Sequence, residues 1–172
     1  PQQRPQLMAG VVMEVRIQMT RRGRMAFVQL DDGSARLDVA VYNEQFETYR
    51  NLLKEDNLLV VFGKVSHDDY SGGLRVSADE IYGLEQARNR FANRLYIRLN
   101  GQANADKLGR LLTPYLAGPA EPGCPVCMRY RTEGQECEIS LGAAWKVRLE
   151  DALMHELRDW LQPENVAIHY GH

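Results

Sequence analysis

Three groups of residues in the chain have types and spacings that could do chemistry. Cys124-Pro-Val-Cys127 with Cys137 offers thiolates at the spacing of a zinc knuckle. The pairs Asp31-Asp32 and Asp68-Asp69 offer adjacent carboxylates, the raw material of a magnesium site for phosphoryl or nucleotidyl transfer. Arg21, Arg22 and Arg24 crowd around Gly23 in the run MTRRGRMAFVQLDDGS, and guanidinium groups so placed suit phosphate. The first two readings weaken on their own chemistry. A fourth zinc ligand is missing, because the chain has three cysteines, and His155 and His169 fall on other predicted elements. The cysteines then read as small hydrophobes at a strand entry, and no metal is expected. Each aspartate pair falls in a predicted turn, where aspartate is favoured for local hydrogen bonding. No glycine-rich phosphate loop or nucleophile with a base stands beside them. No catalytic residue is expected. The arginines are harder to explain away, since like charges at one tip repel unless an anion meets them.

The elements that must position these residues follow from polarity patterns. Val11 to Met19 alternates, with Val11, Met13, Val15, Ile17 and Met19 on one side, and is predicted as a strand with those residues inward. Met25 to Leu30 is a second strand with Ala26, Val28 and Leu30 inward, which turns Phe27 outward beside the arginines. Asp32-Gly33 signals a hairpin into a third strand with Ala35, Leu37, Val39 and Val41 inward. In NEQFETYRNLL, Phe46, Tyr49, Leu52 and Leu53 recur at helical spacing, with Asn43 as a candidate cap. A fourth strand, Leu58 to Ser66, reads as apolar on both faces and carries Gly63 as a bulge or bend. A turn, DDYSGG, leads to a fifth strand from Leu74 to Ile81. Three strands, a helix and two strands is the order of the five-stranded Greek-key barrel called the OB-fold.

Beyond Gly83 the pattern changes. Residues 84–94 read as a charged connecting helix, with Leu84, Ala87, Arg88 and Phe91 at helical spacing. Residues 95–172 then read as strand, helix, two strands, helix and strand, a small α+β module. The expected architecture is therefore β plus α+β: a barrel over 1–83, a linker over 84–94 and a second module over 95–172.

On an OB-fold, the face of strands two and three and the loops joining strands one to two and four to five bind single strands. Those loops are Thr20 to Arg24 and Asp68 to Gly73 here. The nucleic-acid candidates are Arg16, Arg21, Arg22, Arg24, Phe27, Lys64, Tyr70 and Arg75, with Tyr42 as a weaker one. Phe27 and Tyr70 are the rings that could stack bases. The formal net charge of −2 excludes a protein that coats nucleic acid by bulk positive charge, so binding must be local and weak. Three arginines on phosphates imply a log–log salt slope near −2, at roughly 0.7 per phosphate of a single strand. In the second module, Trp145 falls in a predicted loop, where it is either an interface anchor or a plug for the module's own core. The last strand, with Val166, Ile168 and Tyr170, is a candidate sheet edge. No run is long and apolar enough to span a bilayer, and three cysteines do not make a disulfide framework, so a cytoplasmic protein is expected. The polar start, PQQRP, looks like a cut linker and suggests a piece of a longer protein.

The run GVVMEVRIQMTRRGRMAFVQLDDGSARLDVAVYNEQFETYRNLLKEDNLLVVFGKVSHDDYSGGLRVSADEI resembles the OB-fold region of the bacterial DNA polymerase III alpha subunit family. The remainder, through GAAWKV and LEDALMHELRDWL, is similar to that family's C-terminal module. The resemblance implies a non-catalytic C-terminal piece of a replicative polymerase, working in the cytoplasm at the nucleoid. It implies weak contact with single-stranded DNA through Arg21, Arg22 and Arg24. It implies docking of the clamp-loader tau subunit on the module that holds Trp145, Ile168 and Tyr170, within the polymerase holoenzyme. The catalytic aspartates and their magnesium belong to a palm domain that such a piece would lack, so no cofactor is expected. Cys-x-x-Cys is not part of the family pattern, and the acidic character of the family's last strand is missing around Ala167 to Tyr170. Two other readings stay open: a free-standing OB-fold protein for single strands or transfer RNA, and an adaptor whose barrel touches only protein.

Overall fold

A computed structural model describes residues 4–67, 72–100, 104–132 and 134–171. The chain divides into two compact units, residues 1–84 and 85–172.

The first unit is a closed barrel with strand order β1-β2-β3-β5-β4. Its strands are β1 (Gln6–Thr20), β2 (Gly23–Asp31), β3 (Arg36–Val41), β4 (Leu58–His67) and β5 (Leu74–Gly83), with α1 (Asn43–Tyr49) between β3 and β4. All neighbours are antiparallel except β3 and β5, which run parallel and close the Greek key. The inner face carries Val12, Ala26, Val28, Leu30, Val39, Val41, Leu59, Val61, Val76 and Ile81, with Phe46 of α1 over one end. Each of the valines, leucines and isoleucines, and Phe46, contributes roughly 1.5–3 kcal/mol by leaving water.

β1 departs from the simple alternation. Its register slips between Val12 and Glu14, so two residues of β1 are accommodated where β2 advances by one. The bulge flips the phase: Val12 is fully buried and Met13 is exposed, the reverse of the alternating pattern. Past the bulge, Val15 returns inward opposite Val28, but Ile17 and Met19 stay 58% and 78% exposed, and at Met19, opposite Arg24, the β1–β2 hairpin has run on past the core. The first half of β1 pairs with β4 and the second with β2, and the bulge bends the strand between its two partners.

β4 alternates in burial, so one face is buried and not both. A second register shift, between Phe62 and Gly63, marks the expected bulge. A Cβ on Gly63 would strike the carbonyl oxygen of Ser77 and lie 2.9 Å from Val76 Cγ1, so the close approach of β4 to β5 requires glycine. α1 ends at Tyr49, earlier than the periodicity predicts, and the chain turns through Asp56 in a left-handed conformation (φ 66°). Asn43 does not cap the helix. Tyr42 holds the N-cap position without a side-chain bond, and the Asn43 amide packs beneath Gly23 instead.

The second unit is a four-stranded sheet of order β8-β7-β6-β9, built from β6 (Ala92–Asn100), β7 (Val126–Thr132), β8 (Gln135–Ser140) and β9 (Val166–Tyr170). β6 and β7 are parallel; the outer pairs are antiparallel. The helices α3 (Ala105–Leu112) and α4 (Asp151–Leu161) contribute Leu108, Leu112, Leu153, Met154, Leu157 and Leu161 to a core with Leu95, Ile97, Leu99 and Val126 of the sheet. Asn104 caps α3 by accepting the Lys107 N–H at 2.8 Å.

The expected linker is a structural part of this second unit. α2 (Leu84–Phe91) inserts Arg88, 8% exposed, against the entrance of α4. Its guanidinium donates to Asp151 Oδ1 at 2.6 Å and to the Leu149 carbonyl at 3.4 Å. Asn89 Oδ1 accepts the Leu149 N–H at 2.8 Å, and Glu85 accepts the Asp151 N–H at 3.2 Å. Glu85 thus accepts the first N–H of α4, which its own cap residue Glu150 leaves without a side-chain bond, while Arg88 and Asn89 hold the Leu149 backbone just before it.

Candidate nucleic-acid interface

The β1–β2 hairpin turns at Arg21 and Arg22, with Gly23 opening β2 at φ 109°. Thr20 fixes the turn: its hydroxyl donates to the Gly23 carbonyl at 2.7 Å and accepts the Arg22 N–H at 3.2 Å. Among the described residues, neither Arg21 nor Arg22 makes an ion pair, and both are exposed. They border an open cleft of about 580 Å³ with Met25, Tyr42 and the first turn of α1. Tyr42 is 48% exposed here, beside the first turn of α1.

Arg24 behaves differently. It lies on β2, where its Nη2 is 3.0 Å from Glu47 Oε1 and its guanidinium sits 5.8 Å from the Phe46 ring centroid. That pairing turns Arg24 toward α1 and offsets part of its charge, so Arg21 and Arg22 are the more available of the three.

Three other candidates, Arg16, Phe27 and Arg75, come together on the outer face of the barrel, and Lys64 lies further round the wall on β4. Arg16 on β1 sits across from Phe27 on β2, and Phe27 across from Ala40 on β3. Ala40 pairs with Ser77 on β5, and Ser77 with Lys64 on β4. Arg75, one register step of that face away, lays its guanidinium 5.1 Å from the Phe27 ring centroid. Arg16 is 3.5 Å from Glu14, an exposed contact worth little. Lys64 is exposed at the far side of this row. The result is a half-buried ring flanked by cations, able to offer a stacking surface and phosphate contacts together. Tyr70, with Asp68 and Asp69, lies outside the described residues.

The carboxylates of the β2–β3 turn are spent on the turn itself. Asp31 Oδ1 accepts the Gly33 N–H at 2.8 Å, and its other oxygen meets Arg36 Nε at 3.0 Å. Asp32 Oδ1 accepts the Ser34 N–H, the Ser34 hydroxyl and the Ala35 N–H, all within 2.9 Å. These bonds hold the Asp32 carboxyl down at about 2, led by the Ser34 hydroxyl.

The cysteines are separated by the pleat. Cys127 lies on the sheet face opposite to Cys137, because Cys127 pairs with Ser140 while Cys137 pairs with Tyr130 one residue out of phase. Cys124 is buried, and desolvation pushes its thiol up to about 11. The Cys127 thiol, also buried, donates to Glu138 Oε1 at 3.2 Å and is raised first by burial and then by that carboxylate. Among the described residues no three metal-ligating side chains gather at one point.

In the second unit, Trp145 closes a one-turn 3-10 segment (Ala143–Trp145) and is partly buried. It lines an apolar cavity of about 440 Å³ with Leu108, Leu112, Met128, Tyr130 and Ile139. Gly109 of α3 leaves room for the indole, which stands 3.8 Å from where a Cβ would be. Trp145 is thus a wall of an open apolar hollow, a role between the two that the sequence left open. Ile168 is half-buried against the unit's own core, paired with Leu95. Tyr170 is 55% exposed, and β9 is an edge strand of the sheet. Sequence reading missed the open face of this sheet, where β6 and β7 carry Arg94, Tyr96, Arg98, Arg129 and Arg131 at alternate positions. The signal was the alternation in NRLYIRLN and CMRYRT, legible once the inner residues are assigned.

Comparison with known proteins agrees with this division. Residues 7–84 match the family model described as an OB-fold nucleic acid binding domain, and residues 107–161 match that of the DNA polymerase III subunit alpha C-terminal domain. The DNA polymerase III subunit alpha of Escherichia coli (strain K12) is 34% identical over 163 residues, which is 94% of this chain and 14% of that protein. The subunit alpha of Vibrio cholerae is 35% identical over 168 residues, 95% of this chain and 14% of that protein. That of Pseudomonas aeruginosa is 33% identical over 175 residues, 99% of this chain and again 14% of the relative. The chain therefore spans about one seventh of the length of the curated relatives it matches. With a closed five-stranded barrel over one matched region and the α+β unit over the other, the chain belongs to the DNA polymerase III alpha subunit family, as its OB-fold and C-terminal domain.

Proposed function

We propose that the barrel makes a weak, auxiliary contact with single-stranded DNA during replication, and that the second unit docks the clamp-loader tau subunit. The observation that carries the first half is the pair Arg21 and Arg22, exposed and, among the described residues, without an ion pair, at the tip of a hairpin whose outer face holds Phe27 beside Arg75. A net charge of −2 makes such a contact dependent on a larger assembly that already holds the DNA. For the second half, the support is the family membership, the apolar cavity beside Trp145 and the open edge of β9. The chain contributes no polymerase chemistry in this reading; it tethers and steadies.

The test is the salt dependence of oligothymidine binding by fluorescence anisotropy. Replacing Arg21 and Arg22 with alanine lowers the log–log slope by about 1.4, at roughly 0.7 per phosphate. Arg24→Ala changes it less than loss of Arg21 or Arg22 does, because Glu47 offsets part of that charge. An unchanged slope in the Arg21/Arg22 double variant defeats the hairpin assignment. For the partner, Trp145→Ala weakens capture of the tau C-terminal region at unchanged melting temperature, and full-strength capture removes Trp145 from the interface.

A further inference from the structure

We propose that the open face of the second unit's sheet is a separate phosphate-binding surface for single-stranded nucleic acid, centred on Arg98, Arg129 and Arg131. Both α3 and α4 pack on one face of this sheet, through Leu108, Leu112, Leu153 and Leu157. The other face carries the polar alternates of β6 and β7.

Arg98 and Arg129 are register partners on adjacent parallel strands, and Arg131 follows two residues along β7 on the same side. Like charges so close destabilise a sheet unless something of opposite sign sits among them. The chain supplies only part of that compensation. Glu136 lies 3.1 Å from Arg129 Nε and Glu138 3.5 Å from Arg129 Nη2, so both carboxylates are drawn to the middle arginine. Among the described residues, neither Arg98 nor Arg131 makes an ion pair and both are exposed, although Glu136 is the register partner of Arg131 across the ladder. The three arginines and Glu136 surround a polar hollow of about 260 Å³, enough for a phosphate group. Residues two apart on a strand are about 6.6 Å apart, a spacing suited to successive phosphates of an extended single strand.

The neighbouring residues favour nucleic acid over an acidic peptide. Two positions back along β6, Tyr96 packs against His169 of β9 with ring centroids 4.3 Å apart. Arg94 fixes Tyr96 by donating to its hydroxyl at 3.0 Å, and that hydroxyl donates in turn to Glu138 at 3.2 Å. A second polar hollow of about 340 Å³ opens there, bordered by Asn93, Arg94, Tyr96, His169 and Tyr170. Fixed rings beside a row of guanidinium groups offer bases a ledge and phosphates a track on the same face. A carboxylate peptide would use the guanidinium groups and leave the rings idle.

The test uses the whole chain with a fluorescein-labelled oligothymidine, in the wild-type background and in the Arg21→Ala/Arg22→Ala background, so the two surfaces are read separately. Arg98→Ala with Arg131→Ala lowers the log–log salt slope by about 1.4 in both backgrounds, which is about a sevenfold change in the ratio of affinities at 50 and 200 mM salt. Arg98→Lys with Arg131→Lys restores most of the slope, which a loss of folding would not allow. An unchanged slope in the Arg21→Ala/Arg22→Ala background overturns the proposal. So does a result in which Arg98→Ala/Arg131→Ala abolishes binding of a polyglutamate peptide but leaves the oligonucleotide untouched. Loss of slope from the hairpin variants alone supports the barrel reading and not this one, so the two fail independently.

Discussion

Arg88 and Asp151, 63 residues apart in sequence, meet at 2.6 Å and join α2 to the start of α4. Asp151 is largely exposed, so the charge pair alone is worth little; the Arg88 stem and its bond to the Leu149 carbonyl matter more. Arg88→Ala is expected to destabilise the second unit by about 1–3 kcal/mol, by leaving buried backbone without its donor. Urea unfolding followed by near-UV signals from Trp145 and Trp160 checks this. Asp151→Asn, which keeps a hydrogen-bond acceptor, costs less.

Gly63→Ala drives a methyl group into the Ser77 carbonyl and the Val76 side chain, both in the paired strand β5. The expected cost is about 1–3 kcal/mol, as for overpacking elsewhere. Gly33→Ala has open space around its Cβ but keeps the strained φ of 84°, so its penalty comes from the backbone alone. Thermal melts of the two variants separate a steric clash from a conformational one.

The β2–β3 turn is expected to weaken in acid. The folded Asp32 carboxyl titrates at about 2 against an ordinary 3.8, so its contribution is present above about pH 4 and is lost as pH falls through 2. Asp32→Ala should therefore melt below the wild type at neutral pH and converge with it near pH 2. A melting-temperature gap that stays constant from pH 6 to pH 2 contradicts this origin.

Alkylation separates the three thiols. Cys137 is exposed, while Cys124 and Cys127 are buried and carry raised thiol pKa values. Iodoacetamide at pH 8 labels Cys137 first, with the other two slower by at least tenfold, as the thiolate and not the thiol reacts. Peptide mass spectrometry over time reads the order.

Much of the barrel was legible because its strands alternate and its turns carry aspartate and glycine: β2 and the Asp32-Gly33 hairpin follow directly from these. β1 was legible as a strand but not in its phase. A bulge at Val12 to Glu14 swaps the faces without altering the polarity of any residue, and only the pairing with β2 and β4 shows it. Of the hairpin arginines, the sequence showed a common charge. It could not show that Glu47, on a helix beyond the next strand, would claim Arg24. Asn43 looked like a cap by residue type, yet the space beneath Gly23 took its side chain. Arg88 on the apolar stripe of α2 was visible, but its partner lay too far along the chain to be inferred. Long-range polar pairing is what local pattern does not encode.

The division of β1 between two partners also sets an order of assembly. The half next to the Arg21-Arg22 turn can zip onto β2 locally, on the microsecond scale of a hairpin. The half from Gln6 to Val11 must wait until β4 has formed, for its partners are Leu58 to Gly63. During that interval it is an unpaired strand with exposed backbone donors and acceptors. Once β4 has formed, its edge accepts this segment from the same chain or from a second copy, so concentrated refolding favours strand-exchanged dimers hinged at the Val12–Glu14 bulge.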